Sequence, residues 1–122
     1  VGLGPFIPHH ATPLKDFPAG STERTLLCLS IVRLLLPNVL LPATTALATI
    51  DGDGRIKGMN AGCNVVMPNL SPLEDRSKYL LYDNKASSGE EAAESLRALR
   101  EHLAAAGYEV VIDRGDYKGE GK

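Results

Sequence analysis

The sequence contains no tryptophan, and aromatic residues of all kinds make up only 5% of it. The core must therefore be built from aliphatic side chains, and Leu, Val, Ile and Ala are abundant enough to form one. A length of 122 residues suffices for one small domain and no more. We therefore expect a single structural unit with an aliphatic interior.

An excess of charge of one sign is also lacking. The 13 Lys and Arg residues against 15 Asp and Glu leave a formal net charge of -2. Nucleic acids and anionic membranes attract basic surfaces, so this balance gives no reason to expect either as a partner. The longest apolar run, LLLPNVLLPA, contains two prolines and is too short to span a bilayer. No basic stretch precedes an apolar one at the N-terminus, so no signal peptide is indicated and we expect a cytoplasmic protein.

Cysteine is scarce as well. Cys28 and Cys63 lie far apart, and neither belongs to a C-x-x-C pair. Two cysteines do not form a disulfide scaffold, and no zinc or iron–sulfur motif is complete, so we interpret both as buried, reduced thiols. Adjacent His9 and His10 would point in opposite directions on an extended chain, and DGDGR, from Asp51, lacks the glutamate of a calcium loop. No metal ligands are therefore predicted.

Strand-like and helical segments alternate along the chain. The predicted elements, in order, are strand 1–7, helix 23–36 after the capping residue Ser21, strand 39–50, helix 56–62, strand 64–69, and a last helix between the capping box of Ser88 and Glu91 and the terminating Gly107. Residues 108–112 either add a strand or pack down. Alternation of this kind favours parallel strands joined by right-handed crossovers. The predicted class is α/β, as a small open sheet or as part of a (β/α)8 barrel with a C-terminal helical extension.

Each predicted strand ends in residues that an ordinary core strand avoids, namely PFIPHH, PATT and MPN. Proline there ends the ladder because it has no N–H to donate. In α/β folds the carboxyl ends of the strands form the ligand-binding face. The polar residues expected on that face are His9, His10, Thr44, Thr45 and Asn69. These residues fit two interpretations about equally well. They line a ligand pocket, or they simply begin surface loops.

Two pairs of side chains suggest a ligand more directly. Thr44 and Thr45 offer two hydroxyls beside the backbone N–H groups of a strand end, which can bind a carboxylate or another small anion. Tyr79 and Tyr82 are three residues apart and share one face of a helical turn, where their rings can line a pocket or lie against an adenine. Tyrosines that simply pack over the rim of the sheet explain the second pair equally well.

Four segments, taken in order, resemble one known family. VGLGPFIPHHATPL, VRLLLPNVLLPATTALATI, AGCNVVMPNLSP and YLLYDNK are similar to the C-terminal part of HydE, a radical S-adenosylmethionine maturase of [FeFe]-hydrogenase related to biotin synthase. The likeness extends from Val1 to about Lys118. It implies that residues 1–83 form strands six to eight of a (β/α)8 barrel with their helices, and that residues 84–122 form a C-terminal helix and tail.

The resemblance also implies the chemistry of the complete enzyme. In that family one [4Fe-4S] cluster, held by a C-x3-C-x2-C loop, reductively cleaves S-adenosylmethionine. The radical formed attacks the sulfur of a cysteine-bound iron–carbonyl–cyanide complex, a step in building the diiron centre. The loop lies in the N-terminal part of the family's chain and has no counterpart here. The resemblance therefore implies a fragment that is inactive alone, with the missing N-terminal barrel portion, the iron–carbonyl–cyanide complex and other hydrogenase maturases as partners.

The family pattern implies roles for six residues, none of them catalytic or metal-binding. The substrate-binding residues would be Thr44 and Thr45, which hold a carboxylate, with Ile7 and Met67, which line the barrel cavity. The residues near S-adenosylmethionine would be Tyr79 and Tyr82. Some members bind a second cluster through three cysteines, but the matching positions here are Ser87, Ser95 and Ala98, so no second cluster is expected.

Two other interpretations stay open. One is a stand-alone α/β module that binds an anion or small molecule without radical chemistry, and the other is a truncated reading frame with no role of its own. A third of a barrel leaves parallel strand edges open and an apolar inner face uncovered. We therefore expect the isolated chain to be poorly soluble or to oligomerise. Size-exclusion chromatography and thermal melting test this expectation, and a sharp cooperative melt of a monomer would count against it.

Overall fold

The computed structural model describes residues 1–68, 73–76 and 92–116. The elements are, in chain order, α1 (Thr22–Leu35), β1 (Pro42–Ala43), α2 (Thr45–Ile50), α3 (Gly54–Asn60), β2 (Val65–Val66), α4 (Leu73–Arg76) and α5 (Ala92–Ala105). Strands β1 and β2 pair in parallel, with Pro42 opposite Val65 and Ala43 opposite Val66. A mixed arrangement of helices around a parallel sheet agrees with the predicted α/β class. The sheet has two strands in the described residues, so the partial barrel stays a prediction.

Helix α1 forms where the sequence predicts it. The hydroxyl of Ser21 accepts a hydrogen bond from the backbone N–H of Arg24 at 3.4 Å, and Glu23 lies in the first turn, where the helix dipole favours a negative charge. At the other end the N–H of Leu36 donates to the carbonyl of Val32 at 2.8 Å, and Pro37 cannot extend the helix. Both predicted ends of the helix are therefore confirmed to within one residue.

The predicted strand 39–50 is wrong over most of its length, because only Pro42–Ala43 is extended and paired. Helix α2 follows at once, since the hydroxyl of Thr44 accepts the backbone N–H of Leu47 at 3.3 Å and caps it. The β-branched threonines favour a strand, but threonine is also a good helix cap, and the cap decides the local structure here. The predicted strand 64–69 is likewise shortened to Val65–Val66 within its described part.

Residues 1–7 form no strand, which corrects the first predicted element, yet they lie along β1 in a parallel direction. The amino nitrogen of Val1 donates to the carbonyl of Leu40 at 2.9 Å, and Gly4 packs against Thr44. On the other side, the carbonyl of Leu41 accepts the backbone N–H of Val65, the first residue of β2. Carbonyls of successive strand residues point to opposite sides, so this N-terminal segment and β2 flank β1 on opposite edges. The spatial order is therefore N-terminal segment, β1, β2, which is also the order along the chain.

Side-chain hydrogen bonds extend the short β1–β2 ladder at its beginning. The amide oxygen of Asn64 accepts the N–H of Leu41 at 2.8 Å, and its amide nitrogen donates to the carbonyl of Val39 at 3.3 Å. The backbone N–H of Asn64 donates to the carbonyl of Leu41 at 2.9 Å. One side chain thus satisfies backbone groups that a longer strand would have paired, as buried polar groups require.

The core is aliphatic, as the composition predicts. Its fully buried residues around the sheet are Leu29, Leu41, Ala43, Leu47 and Cys63. Helix α3 approaches this core at Gly58, where an added Cβ would lie 3.2 Å from the Cβ of Ala43 and 3.3 Å from a methyl carbon of Leu47. Glycine at this position therefore lets the helix approach β1 and α2 closely.

The C-terminal helix also follows its predicted pattern. Leu99 and Leu103, which the helical spacing places on one face of α5, are buried. Gly107 has φ +85°, a left-handed conformation that suits the end of a helix. The capping box of Ser88 and Glu91 lies outside the described residues. Residues 108–112 form no strand, and the hydroxyl of Tyr108 instead donates to the side-chain oxygen of Asn60, at the end of α3, at 2.6 Å.

Helix α1 carries apolar side chains on the face that points away from the core. These exposed residues are Leu27, Ile31, Leu34 and Leu35. Leu29, in the same helix, is fully buried. The four exposed residues recur at helical spacing and form one contiguous apolar stripe on the surface. No helix among the described residues is long and apolar enough to cross a membrane.

Two leucines of α1 allow a matched test of this packing. Leu29 is 0% exposed and Leu34 is 82% exposed. Leu29→Ala should lower the free energy of unfolding by about 2–5 kcal/mol, because it leaves a cavity in the core. Leu34→Ala makes the same chemical change in the same helix and should alter that free energy by less than about 0.5 kcal/mol. Urea denaturation of both variants measures the difference, and equal losses would contradict the placement of α1.

Candidate functional site

The carboxyl ends of β1 and β2 bring two of the predicted substrate residues to one edge of the sheet. Thr44 directly follows Ala43, Met67 directly follows Val66, and Ala43 and Val66 are partners in the ladder. Because the strands are parallel, both residues leave the sheet at the same end, one residue beyond a paired position. Thr44 is half-buried and Met67 is 54% exposed. A polar and an apolar residue thus follow neighbouring strands at the edge where α/β folds bind ligands.

The hydroxyl of Thr44 already takes part in one hydrogen bond within the protein. It accepts the N–H of Leu47, so its own proton is the part that can be donated to a ligand. Thr45 is the first residue of α2, is half-buried, and uses its backbone carbonyl to accept the hydroxyl of Thr49 at 2.9 Å. The threonine pair therefore begins a helix and keeps two side-chain hydroxyls near the edge of the sheet.

Ile7 lies on the N-terminal segment, beyond the point where Gly4 contacts Thr44, and is half-buried. The carbonyl of the preceding residue, Phe6, accepts the N–H of Gly20 at 2.7 Å, which holds this segment against the residues that lead into α1. The segment thus passes the candidate site on the edge of β1 opposite β2. Ile7 therefore lies on the segment that borders Thr44, whereas Met67 borders it from β2.

His9 and His10 follow on the same segment, and their rings stack with centroids 4.4 Å apart. The ring nitrogen Nδ1 of His9 accepts the backbone N–H of Ala11 at 3.0 Å. Residue 10 begins a turn, so the expectation for an extended chain, that the two side chains point in opposite directions, is wrong here.

Three of the residues singled out from the sequence, Asn69, Tyr79 and Tyr82, lie outside the described residues. Their placement at a ligand or beside S-adenosylmethionine stays a prediction. Two residues that position the edge were missed, namely Gly4 against Thr44 and Asn64 at the start of the ladder. The segment GLGPF offers two glycines, Gly2 and Gly4, and the sequence does not show which of them another chain segment approaches.

The cysteines do not fit an iron–sulfur cluster. Cys63 is buried, and burial raises the pKa of its thiol to about 11, although the positive charge of Arg33 opposes this. Cys28 is exposed on α1, which corrects the prediction that both thiols are buried. Clusters bind thiolates, and in the described part of the chain no group of three His, Cys, Asp or Glu residues is arranged to hold a metal ion. We therefore assign no cluster to these residues.

The DGDGR turn carries an ion pair. The carboxylate of Asp51 lies 2.6 Å from the ammonium of Lys57 and also accepts the backbone N–H of Asp53 at 3.1 Å. The hydrogen bond from Lys57 lowers the pKa of Asp51, and the same contact raises the pKa of Lys57. This turn therefore joins α2 to α3, and the carboxylate of Asp51 is paired with groups of the protein itself.

Comparison with known proteins shows that the chain is similar to parts of two kinds of enzyme. No family model matches the chain. It is 46% identical over 85 residues to the [FeFe] hydrogenase maturase subunit HydE of Thermotoga maritima, an alignment that covers 70% of this chain and 24% of that protein. The predicted resemblance to HydE is thereby confirmed.

A second enzyme is also similar to this chain. The 3-methylornithine synthases of Methanosarcina acetivorans and Methanosarcina barkeri are each 38% identical to it over 77 residues, which is 61% of this chain and 21% of each synthase. The chain thus matches about a quarter of the length of HydE and about a fifth of the synthases. The similarity concerns one part of these enzymes.

The two cysteines should differ strongly in reactivity. At about pH 8, iodoacetamide should alkylate the exposed Cys28 readily and Cys63 only after unfolding, because the thiolate is the nucleophile and Cys63 is both buried and protonated. Intact-protein mass spectrometry should show one label per native chain and two per denatured chain. The Cys28→Ser variant is the control and should take up none while folded. Rapid labelling of that variant would contradict the burial of Cys63.

Burial of Cys63 should also make stability depend on pH in the alkaline range. The pKa of the thiol is raised from 9.0 to about 11, so between these values the unfolded chain loses this proton while the folded chain keeps it. The free energy of unfolding should therefore fall as the pH rises from 9 towards 11. Urea denaturation of the Cys63→Ala variant, which lacks the thiol, should show a weaker fall over this range. The same fall in both proteins would contradict the account.

Proposed function

We propose that this chain supplies the C-terminal, substrate-facing part of a radical S-adenosylmethionine enzyme that matures the diiron centre of [FeFe]-hydrogenase. One observation carries the proposal: Thr44 and Met67 leave two paired parallel strands side by side at their carboxyl ends. That edge is the ligand-binding edge in α/β folds, and it occurs in a chain 46% identical to HydE over 85 residues.

In this proposal the threonines bind the carboxylate of the substrate, a cysteine-bound iron–carbonyl–cyanide complex. The Thr44 hydroxyl accepts the N–H of Leu47, so it is disposed to donate to an acceptor such as a carboxylate oxygen. Thr45 supplies the second hydroxyl from the adjoining position. Two donors suit the two oxygens of a carboxylate and fix its orientation.

Met67 and Ile7 form the apolar part of the proposed site. Met67 exposes about half of its side chain at the end of β2, and Ile7 is half-buried on the segment along the other edge of β1. A methionine side chain is flexible and polarisable, so it can adapt to an irregular ligand. Tyr79 and Tyr82 complete the proposal as the residues beside S-adenosylmethionine.

A second candidate is an enzyme that forms an amino acid such as 3-methylornithine. The 38% identity to the two synthases over 77 residues favours it. Both candidates use the threonines in the same way, because 3-methylornithine and cysteine are both α-amino acids and each carries an α-carboxylate. They differ in what occupies the rest of the pocket, so turnover of an iron complex against turnover of an amino acid distinguishes them.

The site also requires further polypeptide around it. Arg33 on one flank of α1 donates from Nε to the carbonyl of Gly62 at 2.7 Å, so α3 lies on that side. Ile31 and Leu35 are each two residues from Arg33, which corresponds to a rotation of about 200° around the helix axis. Both therefore lie on the flank of α1 away from Arg33. They are 46% and 73% exposed. We propose that the preceding portion of a (β/α)8 barrel, which carries the [4Fe-4S] cluster, covers the flank of α1 that bears Ile31 and Leu35.

Replacing both threonines tests the carboxylate site in the complete enzyme that contains this chain. Thr44→Val with Thr45→Val should weaken binding of the carboxylate-bearing substrate by about tenfold or more, since each hydrogen bond to a charged group contributes about 1.5–3 kcal/mol. Binding of S-adenosylmethionine should change by less than about twofold, because the proposal places it at other residues. Isothermal titration calorimetry measures both affinities.

Thr49→Val provides the matched control. The Thr49 hydroxyl donates to the carbonyl of Thr45 within α2, so this variant removes a hydroxyl from the same helix away from the strand end. It should leave both affinities unchanged. Circular dichroism checks that the double variant is folded, since loss of the Thr44 cap costs about 1 kcal/mol. Equal weakening of both ligands by the double variant would refute the role of the threonines.

A further inference from the structure

The side chain of Thr44 occupies the space that a side chain at position 4 would need. A Cβ built on Gly4 would lie 2.8 Å from Oγ1, 3.4 Å from Cγ2 and 3.5 Å from Cβ of Thr44. Gly62, Gly107 and Gly115 are the described glycines with positive φ, and Gly4 is not among them. Space, and not an unusual backbone conformation, is therefore what requires glycine at this position.

The hydroxyl of Thr44 therefore has two close neighbours. The N–H of Leu47 donates to it at 3.3 Å, and Gly4 lies so near that an added Cβ would come within 2.8 Å of it. A β-branched side chain has few χ1 rotamers, so these two neighbours restrict where the hydroxyl can lie. The position of any ligand atom that accepts its proton is restricted in turn.

We propose that Gly4 is a positioning residue that sets where the Thr44 hydroxyl meets a ligand carboxylate. The inference rests on the proposed function, in which Thr44 binds that carboxylate. Gly4 contributes no functional group of its own. It acts by letting the N-terminal segment lie against Thr44 without displacing its side chain.

The neighbouring hydrogen bonds determine whether the N-terminal segment or the side chain of Thr44 moves when Gly4→Ala adds a methyl group. The N-terminal segment is held on both sides of Gly4, by Val1 to the carbonyl of Leu40 at 2.9 Å and by Gly20 to the carbonyl of Phe6 at 2.7 Å. Thr44 can relieve the contact by rotating about χ1, but it then loses the hydrogen bond from Leu47. Gly4→Ala is therefore expected to rotate the hydroxyl out of position and to open the cap of α2.

Hydrogen exchange of the Leu47 amide in the full chain tests the first part of this inference. Gly4→Ala should accelerate that exchange several-fold relative to wild type, because the amide loses its acceptor. Gly2→Ala is the matched control, since nothing lies within 4 Å of a Cβ at Gly2, and it should leave the exchange unchanged. Unchanged exchange in Gly4→Ala would overturn the proposal.

Binding of S-methyl-L-cysteine, which carries an amino-acid carboxylate and no free thiol, to the complete enzyme that contains this chain tests the second part. Gly4→Ala should weaken its affinity by about fivefold or more, and Gly2→Ala should not. If Gly4 acts through Thr44, the Gly4→Ala/Thr44→Ala double variant should bind as weakly as Thr44→Ala and no more weakly. A further loss in the double variant would show that Gly4 acts on the fold in general, which would overturn the proposal.

The outcomes separate the two claims. Failure of the probe to bind the complete enzyme that contains the wild-type chain would overturn both the carboxylate site and the role of Gly4. If the wild-type protein binds the probe and Gly4→Ala binds it with the same affinity, the role of Gly4 alone is overturned.

Discussion

The candidate site depends on the parallel pairing of β1 with β2. Only four residues form this ladder, so by itself it is a weak structure. Asn64 reinforces it by accepting the N–H of Leu41 and donating to the carbonyl of Val39, and buried Leu41 and Ala43 fix β1 in the core. Because the strands are parallel and in register, the residues that follow them, Thr44 and Met67, leave at the same edge. Without that register the two side chains would have no reason to be neighbours.

The same arrangement explains the apolar surface of the chain. The N-terminal segment lies along the outer edge of β1 through Val1 and Gly4, and its Phe6 carbonyl accepts the N–H of Gly20. Helix α1 buries Leu29 against the sheet and exposes Leu34 and Leu35. This exposed apolar surface is the part of α1 that the proposed barrel portion would cover.

Much of the helical structure could be predicted because its signals are local. Ser21 and Pro37 mark the ends of α1, and the spacing of Leu99 and Leu103 predicts the buried face of α5. The strands were harder, because a strand is defined by its neighbours. Residues 1–7 lie parallel to β1 yet do not complete a ladder with it.

The place of Thr44 was predictable, and its role toward a ligand stays a prediction. The proline and polar residues after an apolar run predicted that Thr44 leaves the sheet at the carboxyl end of its strand, and the register agrees. Met67 was named from the family resemblance alone. Threonine serves equally in strands and as a helix cap, so its role in starting α2 could not be read from residue type. The importance of Gly4 is invisible without its neighbour, because nothing in the sequence says which chain segment approaches it. Cys28 was expected to be buried for a similar reason, since an apolar helix does not reveal which of its faces is covered.

The central claim is that three chain segments run parallel and end at one edge, in the order N-terminal segment, β1, β2. Solution NMR of the isotope-labelled chain tests this most directly, through nuclear Overhauser contacts between protons of neighbouring segments. The account predicts contacts of Gly4 with Thr44, and of Ala43 with Val66 in the staggered pattern of a parallel ladder. Contacts in the antiparallel pattern, or a Gly4 with no contact to Thr44, would contradict it.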